Sequence, residues 1–73
     1  MRHFWFTDQD GNNIMTDHRG TLKGAVIRCK DYLKKYPECE TIYINEDEDI
    51  VETVFSWEVH DEPGGISRQK ERI

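Results

Sequence analysis

The first segment of the chain combines aromatic residues with a turn sequence. Residues 3–7 read His-Phe-Trp-Phe-Thr, and aromatic residues favour β-strands. Residues 8–13 are rich in Asp, Asn and Gly, which tolerate the left-handed backbone of a turn. Residues 13–17 can return as a second strand, with Asp10 and Gly11 at the reversal. The pattern therefore predicts a β-hairpin.

The hydrophobic period changes to that of a helix over residues 21–36. The apolar residues that share one helical face are Leu22, Ala25, Val26, Cys29, Leu33 and Tyr36. This spacing is typical of an amphipathic α-helix. Thr21 is expected to cap the N-terminus, because its side-chain oxygen can accept a hydrogen bond from an amide of the first turn. Pro37 is expected to end the helix, because it disfavours helical geometry at the preceding residue.

A second hairpin is predicted after the helix. Residues 40–45 alternate with period two, four acids at 46–49 interrupt the pattern, and residues 50–59 resume it with β-branched and aromatic side chains. Phe55 and Trp57 would share one side of an ideal strand, so a bulge would be needed to separate them.

These elements predict an α+β domain of order ββαββ over residues 1–60. One amphipathic helix packs on one face of a four-stranded, mainly antiparallel sheet. The first and last strands are the most apolar and are expected at the centre, which gives the strand order 2-1-4-3. Residues 61–73 lack hydrophobic periodicity and are expected to form a disordered tail.

One helix covers only one face of such a sheet, so some aromatic residues must face away from it. Placing Phe4 and Phe6 beneath the helix sends Trp5 to the opposite side, because side chains alternate along a strand. An exposed apolar patch on a small protein usually marks an interaction surface, and large aromatic groups contribute most when such a surface is buried. We therefore expect an interaction face formed by Trp5, Tyr43 and Trp57.

The composition adds an uneven distribution of charge. The 73 residues carry a formal charge of −5, and 34% of them are charged. Residues 38–66 contain ten acids and no lysine or arginine, whereas residues 21–36 contain five bases and one acid. The five bases are Lys23, Arg28, Lys30, Lys34 and Lys35. Surfaces of opposite sign either keep a small protein soluble or steer its association with a partner.

The small size of the chain favours association. Below roughly 70 to 80 residues, a single core seldom supplies more than about 3 to 5 kcal/mol of stability. Cys29 and Cys39 lack the spacing of a metal or redox motif and are expected to be reduced thiols. Self-association is then the remaining common source of buried area, so the expected partner is a second copy, as a homodimer, or another protein.

Candidate catalytic and metal-binding residues do not complete any known pattern. Asp8, Asp10 and Gly11 resemble part of a calcium loop, but Phe6 would occupy the first ligand position. The three histidines, none of which has ligand spacing to another, are His3, His18 and His60. We expect no metal, no cofactor and no enzymatic activity.

The expected function is that of a small non-enzymatic protein-interaction or self-association module. The alternative is a nucleic-acid-associated accessory protein that contacts phosphates with the five helix bases, although the ten acids would repel a phosphate backbone. The longest apolar run is too short for a membrane span, and no signal-like segment opens the sequence. A cytoplasmic protein without membrane contact is therefore expected.

Overall fold

The computed structural model describes residues 1–60 and confirms the predicted α+β class. Its elements are β1 (Arg2–Asp8), β2 (His18–Gly20), α1 (Leu22–Lys35), β3 (Thr41–Glu46), β4 (Asp49–Phe55) and α2 (Trp57–His60). The four strands form one antiparallel sheet, and α1 packs on one of its faces. The predicted tail, 61–73, lies outside the described residues.

Helix α1 begins and ends as its sequence predicts. The side-chain oxygen of Thr21 accepts a hydrogen bond from the backbone N–H of Gly24 at 3.0 Å, which satisfies one of the free donors of the first turn. At the other end, the backbone N–H of Tyr36 donates to the carbonyl of Tyr32 at 2.9 Å, and the helix stops before Pro37. Both ends of the helix are thus determined by local sequence.

The strand order is β2-β1-β3-β4, so the predicted order 2-1-4-3 is wrong. Strand β3 pairs with both β1 and β4, and its Ile42 and Ile44 are fully buried, whereas Val54 is the one buried residue of β4. Strand β4 also carries Asp49 and Glu52, and charged residues suit an edge strand. The apolar character assigned to the last strand came partly from residues that belong to α2.

The second strand lies later in the chain than predicted. Residues 13–17 form no strand beyond a single bridge between Thr7 and Asn13, and β2 is the short segment His18–Gly20. The turn after β1 accounts for this difference. The carboxylate of Asp8 accepts hydrogen bonds from the amides of Asp10 and Asn12 at 2.9 and 3.0 Å, which holds residues 8–12 in a closed loop.

The last strand is shorter than predicted, because β4 ends at Phe55 and Trp57 begins a helical turn. The backbone N–H of Ser56 still donates to the carbonyl of Glu40 at 2.9 Å, and those of Val59 and His60 then both donate to the carbonyl of Ser56. An irregularity does occur in β4, but it lies at Val51, between the pairs Ile44 with Glu52 and Asn45 with Ile50.

The core lies between α1 and the sheet. Its fully buried members include Phe4, Phe6, Ile42, Ile44 and Val54 from the strands and Ala25, Cys29 and Leu33 from the helix. Alternate residues of the same strands face away from α1, since successive side chains of a strand point to opposite faces. Within residues 1–60, α1 therefore covers one face of the sheet, and no helix covers the other.

Candidate functional site

The face of the sheet without a helix is the candidate site, and we call it the open face. The pairs Trp5 with Asn45 and Thr7 with Tyr43 place these side chains together, opposite to the buried Phe6 and its partners. The same pairing extends across β4. The open face consists of His3, Trp5, Thr7, Arg19, Thr41, Tyr43, Asn45, Ile50, Thr53 and Phe55.

Two of the three predicted interaction residues lie on the open face, and the third lies beside it. Trp5 and Tyr43 lie on the central strands β1 and β3, on the side opposite to the buried Phe6 and Ile44, and this side is the one that the alternation predicts. Trp57 comes from α2, and its ring stacks on that of Phe55 with centroids 5.6 Å apart and planes 9° from parallel. Both rings are therefore exposed to solvent. No bulge is needed to separate them, because the strand ends at Phe55.

The open face carries two apolar side chains that the sequence did not single out. Ile50 is 57% exposed and Phe55 is 38% exposed, while Trp57, which stacks on Phe55, is 63% exposed. The position of Ile50 depends on the irregularity at Val51, which sets which residues of β4 share a face with Asn45. The sequence of residues 50–54, Ile-Val-Glu-Thr-Val, contains no signal of that irregularity.

Asn45 supplies the polar centre of the open face. Its side-chain nitrogen lies 3.3 Å from the Trp5 carbonyl, 3.2 Å from the Tyr43 carbonyl and 3.2 Å from the Thr7 hydroxyl. The two amide N–H groups therefore find their acceptors within the sheet. A partner could cover this centre without leaving those donors unsatisfied, which is the main cost of burying an amide.

One corner of the open face holds a contact between His3 and Asp17 and a separate cation, Arg19. The ring nitrogen Nε2 of His3 lies 2.7 Å from a carboxylate oxygen of Asp17, and the His3 ring meets Trp5 edge-on at 5.7 Å. Arg19 lies opposite His3 on β2 and is exposed. Within residues 1–60, Arg19 takes part in no ion pair.

The outer edge of β4 is occupied by carboxylates. Because the N–H of Ser56 donates to Glu40, the even-numbered residues at this end of β4 bond toward β3 and the odd-numbered ones face outward. The outward N–H of Phe55 donates to Glu58 at 2.9 Å, and that of Thr53 donates to Glu52 at 3.3 Å. A strand approaching this edge would meet two carboxylates instead of free donors.

The five bases of α1 do not form one surface. Arg28 donates to the Asp17 carbonyl and to the Thr16 hydroxyl, both at 3.1 Å, and its guanidinium lies 5.3 Å from the Phe6 ring centre. It therefore fastens the loop before β2 to the helix. At 100° per residue, Lys35 falls on another flank of the helix than the remaining three bases. Those three are Lys23, Lys30 and Lys34.

The cysteines are free thiols held in the protein interior. Burial raises the pKa of the Cys29 thiol to about 12. Burial also raises the pKa of Cys39, against a lowering contribution from the backbone of Thr41. Since the thiolate is the nucleophilic form, neither thiol is activated for covalent chemistry.

The three histidines contact different parts of the protein. His60, the last residue of α2, places its side chain against the C-terminal turn of α1. Its Nε2 lies 2.8 Å from the Leu33 carbonyl, which can only accept a hydrogen bond. His18 stacks on Phe4, with ring centroids 6.3 Å apart. Among residues 1–60, no three His, Cys, Asp or Glu side chains are grouped so that they could hold a metal ion.

Comparisons of the chain with protein-family models, curated proteins and solved structures found no match. Within residues 1–60, no helix has the length and apolar character needed to cross a membrane. These residues also enclose no pocket, so the candidate site is a surface instead of a cleft.

Proposed function

We propose that this protein is a non-enzymatic self-association module that dimerises through the open face. The observation that carries the proposal is a set of outward apolar side chains: Ile50 and Phe55 at the two ends of β4, Trp57 stacked on Phe55, and Trp5 and Tyr43 on β1 and β3. Contiguous apolar surface on a small protein is characteristic of an interaction site. Aromatic side chains contribute most of the binding energy at such sites when they become buried.

The polar groups at the centre of the face support burial against a protein partner. Asn45 has its N–H groups satisfied by Trp5, Tyr43 and Thr7, so a partner that covers this amide leaves neither donor without an acceptor. A small domain also gains from the extra area, because its own core supplies limited stability. Both considerations favour an apolar surface as the occupant.

The charge around the face disfavours a nucleic acid as the occupant. Single-stranded nucleic acids bind where stacking aromatic side chains lie beside a positively charged groove. Here the neighbouring edge of β4 carries Glu52 and Glu58, and the lysines lie on α1, across the sheet. The acidic edge would repel a phosphate backbone following the aromatic residues.

The test is the solution mass across a concentration series, by sedimentation or light scattering. We expect the mass to rise toward twice the chain mass of 8.7 kDa and the rise to be weakened in Trp5→Ala. Ile50 and Ile27 form a matched pair, since they are 57% and 52% exposed and lie on the sheet and the helix, respectively. Ile50→Ala should weaken the dimer about tenfold, as expected for loss of a buried aliphatic side chain, and Ile27→Ala should not change it.

A monomer at every concentration would contradict self-association. A dimer that is equally affected by Ile50→Ala and Ile27→Ala would place the interface elsewhere. Circular dichroism of each variant separates a lost interface from a lost fold.

A further inference from the structure

The charges near the open face are arranged so that two copies can complement each other. Trp5 is level with Asn45, so His3 and its partner Arg19 are level with the turn after Glu46. That turn joins β3 to β4 and carries Asp47 and Glu48, which we call the acidic turn. Arg19 and the acidic turn therefore lie at the same end of the sheet but toward opposite edges.

These charges have no partner within the part of the chain that the structure describes. Glu46 is bound by Arg2, with contacts of 2.7 and 2.9 Å, and Asp17 is bound by His3. Neither Arg19 nor the acidic turn takes part in an ion pair among residues 1–60. Both groups are exposed.

Two copies can pack their open faces around a two-fold axis in two ways. An axis parallel to the strands lays β2 of each copy over β4 of the other. The end of each sheet that carries Arg19 then lies over the same end of the other sheet. Each Arg19 then faces the partner's acidic turn. An axis perpendicular to the strands instead lays each acidic turn over the far end of the partner's β4, where Glu58 lies. Complementary charges favour the first arrangement, and like charges disfavour the second.

The structure also disfavours the other common way to join two sheets. Pairing of two β4 edges would form one continuous sheet of eight strands from two copies of this four-stranded one. The carboxylates of Glu52 and Glu58 occupy the outward N–H groups that such pairing requires. Two copies of this edge would also bring four carboxylates together.

We propose that the dimer is a face-to-face sandwich whose two-fold axis runs parallel to the strands, with Arg19 of each copy contacting the acidic turn of the other. This inference rests on the proposed function. Four strands spaced about 4.8 Å apart and about six residues long give a face roughly 19 Å by 20 Å, which is small for a stable interface. The aromatic side chains provide the attraction, and the two charge contacts set the orientation.

Charge reversal tests the contact. Arg19→Glu and Glu48→Lys should each weaken the dimer about five- to tenfold in sedimentation, because each places like charges in contact. The combined variant should recover to within about threefold of the original affinity, since it restores opposite charges. The combined Lys30→Glu and Lys34→Glu variant reverses two charges on α1 and should leave the affinity unchanged. Additive losses in the Arg19→Glu and Glu48→Lys double variant would overturn the proposed orientation.

A disulfide tests the geometry directly. Arg19 lies on β2 and Glu48 lies in the turn between β3 and β4, so two to three strand spacings, about 10–14 Å, separate them, which is too far for a disulfide within one copy. A chain with both Arg19→Cys and Glu48→Cys should therefore oxidise to a covalent dimer, and the chain with Arg19→Cys alone should not. Absence of the covalent dimer in the double variant would overturn the orientation.

The two proposals fail in different ways. A dimer that Ile50→Ala weakens but that neither charge reversal affects would retain self-association through the open face and reject the orientation. A monomer at all concentrations, or a dimer insensitive to Ile50→Ala, would reject the proposed function itself.

Discussion

The two faces of the sheet are built from the same strands and have different chemistry. On the covered face, Phe4, Phe6, Ile42 and Ile44 of β1 and β3 are fully buried against α1. On the open face, the same two strands present Trp5, Thr7, Tyr43 and Asn45, which are all partly exposed. Alternation along a strand thus separates the residues that stabilise the monomer from those available to a partner.

The two faces also differ in their polar groups. The covered face brings only aliphatic, aromatic and thiol side chains into the core. The open face keeps one amide at its centre and satisfies its N–H groups internally. Because the N–H groups of Asn45 have acceptors within the sheet, they do not require hydrogen bonds to water or to a partner. Such a surface is compatible with water in the monomer and with an apolar partner in the dimer.

The largest expected effect comes from the covered face. Phe6→Ala removes a fully buried ring and should lower the free energy of unfolding by about 3–5 kcal/mol, as large-to-small core substitutions do. This is comparable to the whole stability expected of so small a core. Trp5→Ala, the neighbouring residue on the open face, is the matched control and should cost the monomer less than half as much. Urea unfolding at low protein concentration measures both.

Equal losses in Phe6→Ala and Trp5→Ala would contradict the separation of roles. They would show that the open face stabilises the isolated chain as much as the core does.

Local sequence predicts much of this architecture. The cap at Thr21, the end of α1 before Pro37, and the outward positions of Trp5 and Tyr43 each depend on a few neighbouring residues or on strand alternation. These are short-range effects, so composition and period are sufficient to predict them.

The remaining features depend on contacts between distant residues. The central position of β3 follows from its pairing with both β1 and β4, which no single strand sequence encodes. The turn at Ser56 follows from its bond to Glu40, sixteen residues earlier, and it moves Trp57 from a strand to a helix. The prediction of Trp57 on the last strand is therefore wrong, and the residue is an exposed member of α2.

An intermediate effect is expected at the centre of the open face. Asn45→Ala removes the N–H groups that contact the Trp5 and Tyr43 carbonyls and the Thr7 hydroxyl, and it should lower the free energy of unfolding by about 1–2 kcal/mol. Thr7→Val is the matched control, because it keeps the side-chain shape and leaves two carbonyl acceptors for the two N–H groups. It should cost less than about 0.5 kcal/mol. Thermal or urea unfolding measures both, and a larger loss in Thr7→Val would show that the hydroxyl, not the amide network, organises the face.

The smallest effect on the free energy of unfolding is expected at the ion pair of Arg2 and Glu46. This pair lies on the same side of the sheet as α1 but remains exposed to solvent. The hydrogen bond from Arg2 lowers the pKa of Glu46 below its ordinary value of 4.5, and Arg2 also lies 4.9 Å from the Phe4 ring centre. A lowered pKa in the folded state means that the contribution to stability is present above the ordinary value. It is lost as the pH falls through the lowered pKa. Exposed ion pairs contribute little, so the effect should be slight and weaker in high salt.

The difference between the original chain and Arg2→Met isolates this contribution from the other carboxylates that titrate on acidification. Methionine keeps an apolar side chain over Phe4 and removes the charge, so packing changes less than electrostatics. The two chains should differ most in unfolding free energy near neutral pH and converge as Glu46 is protonated. Parallel curves at all pH values would show that the pair adds nothing to the folded state, and that burial on the covered face alone stabilises this end of the sheet.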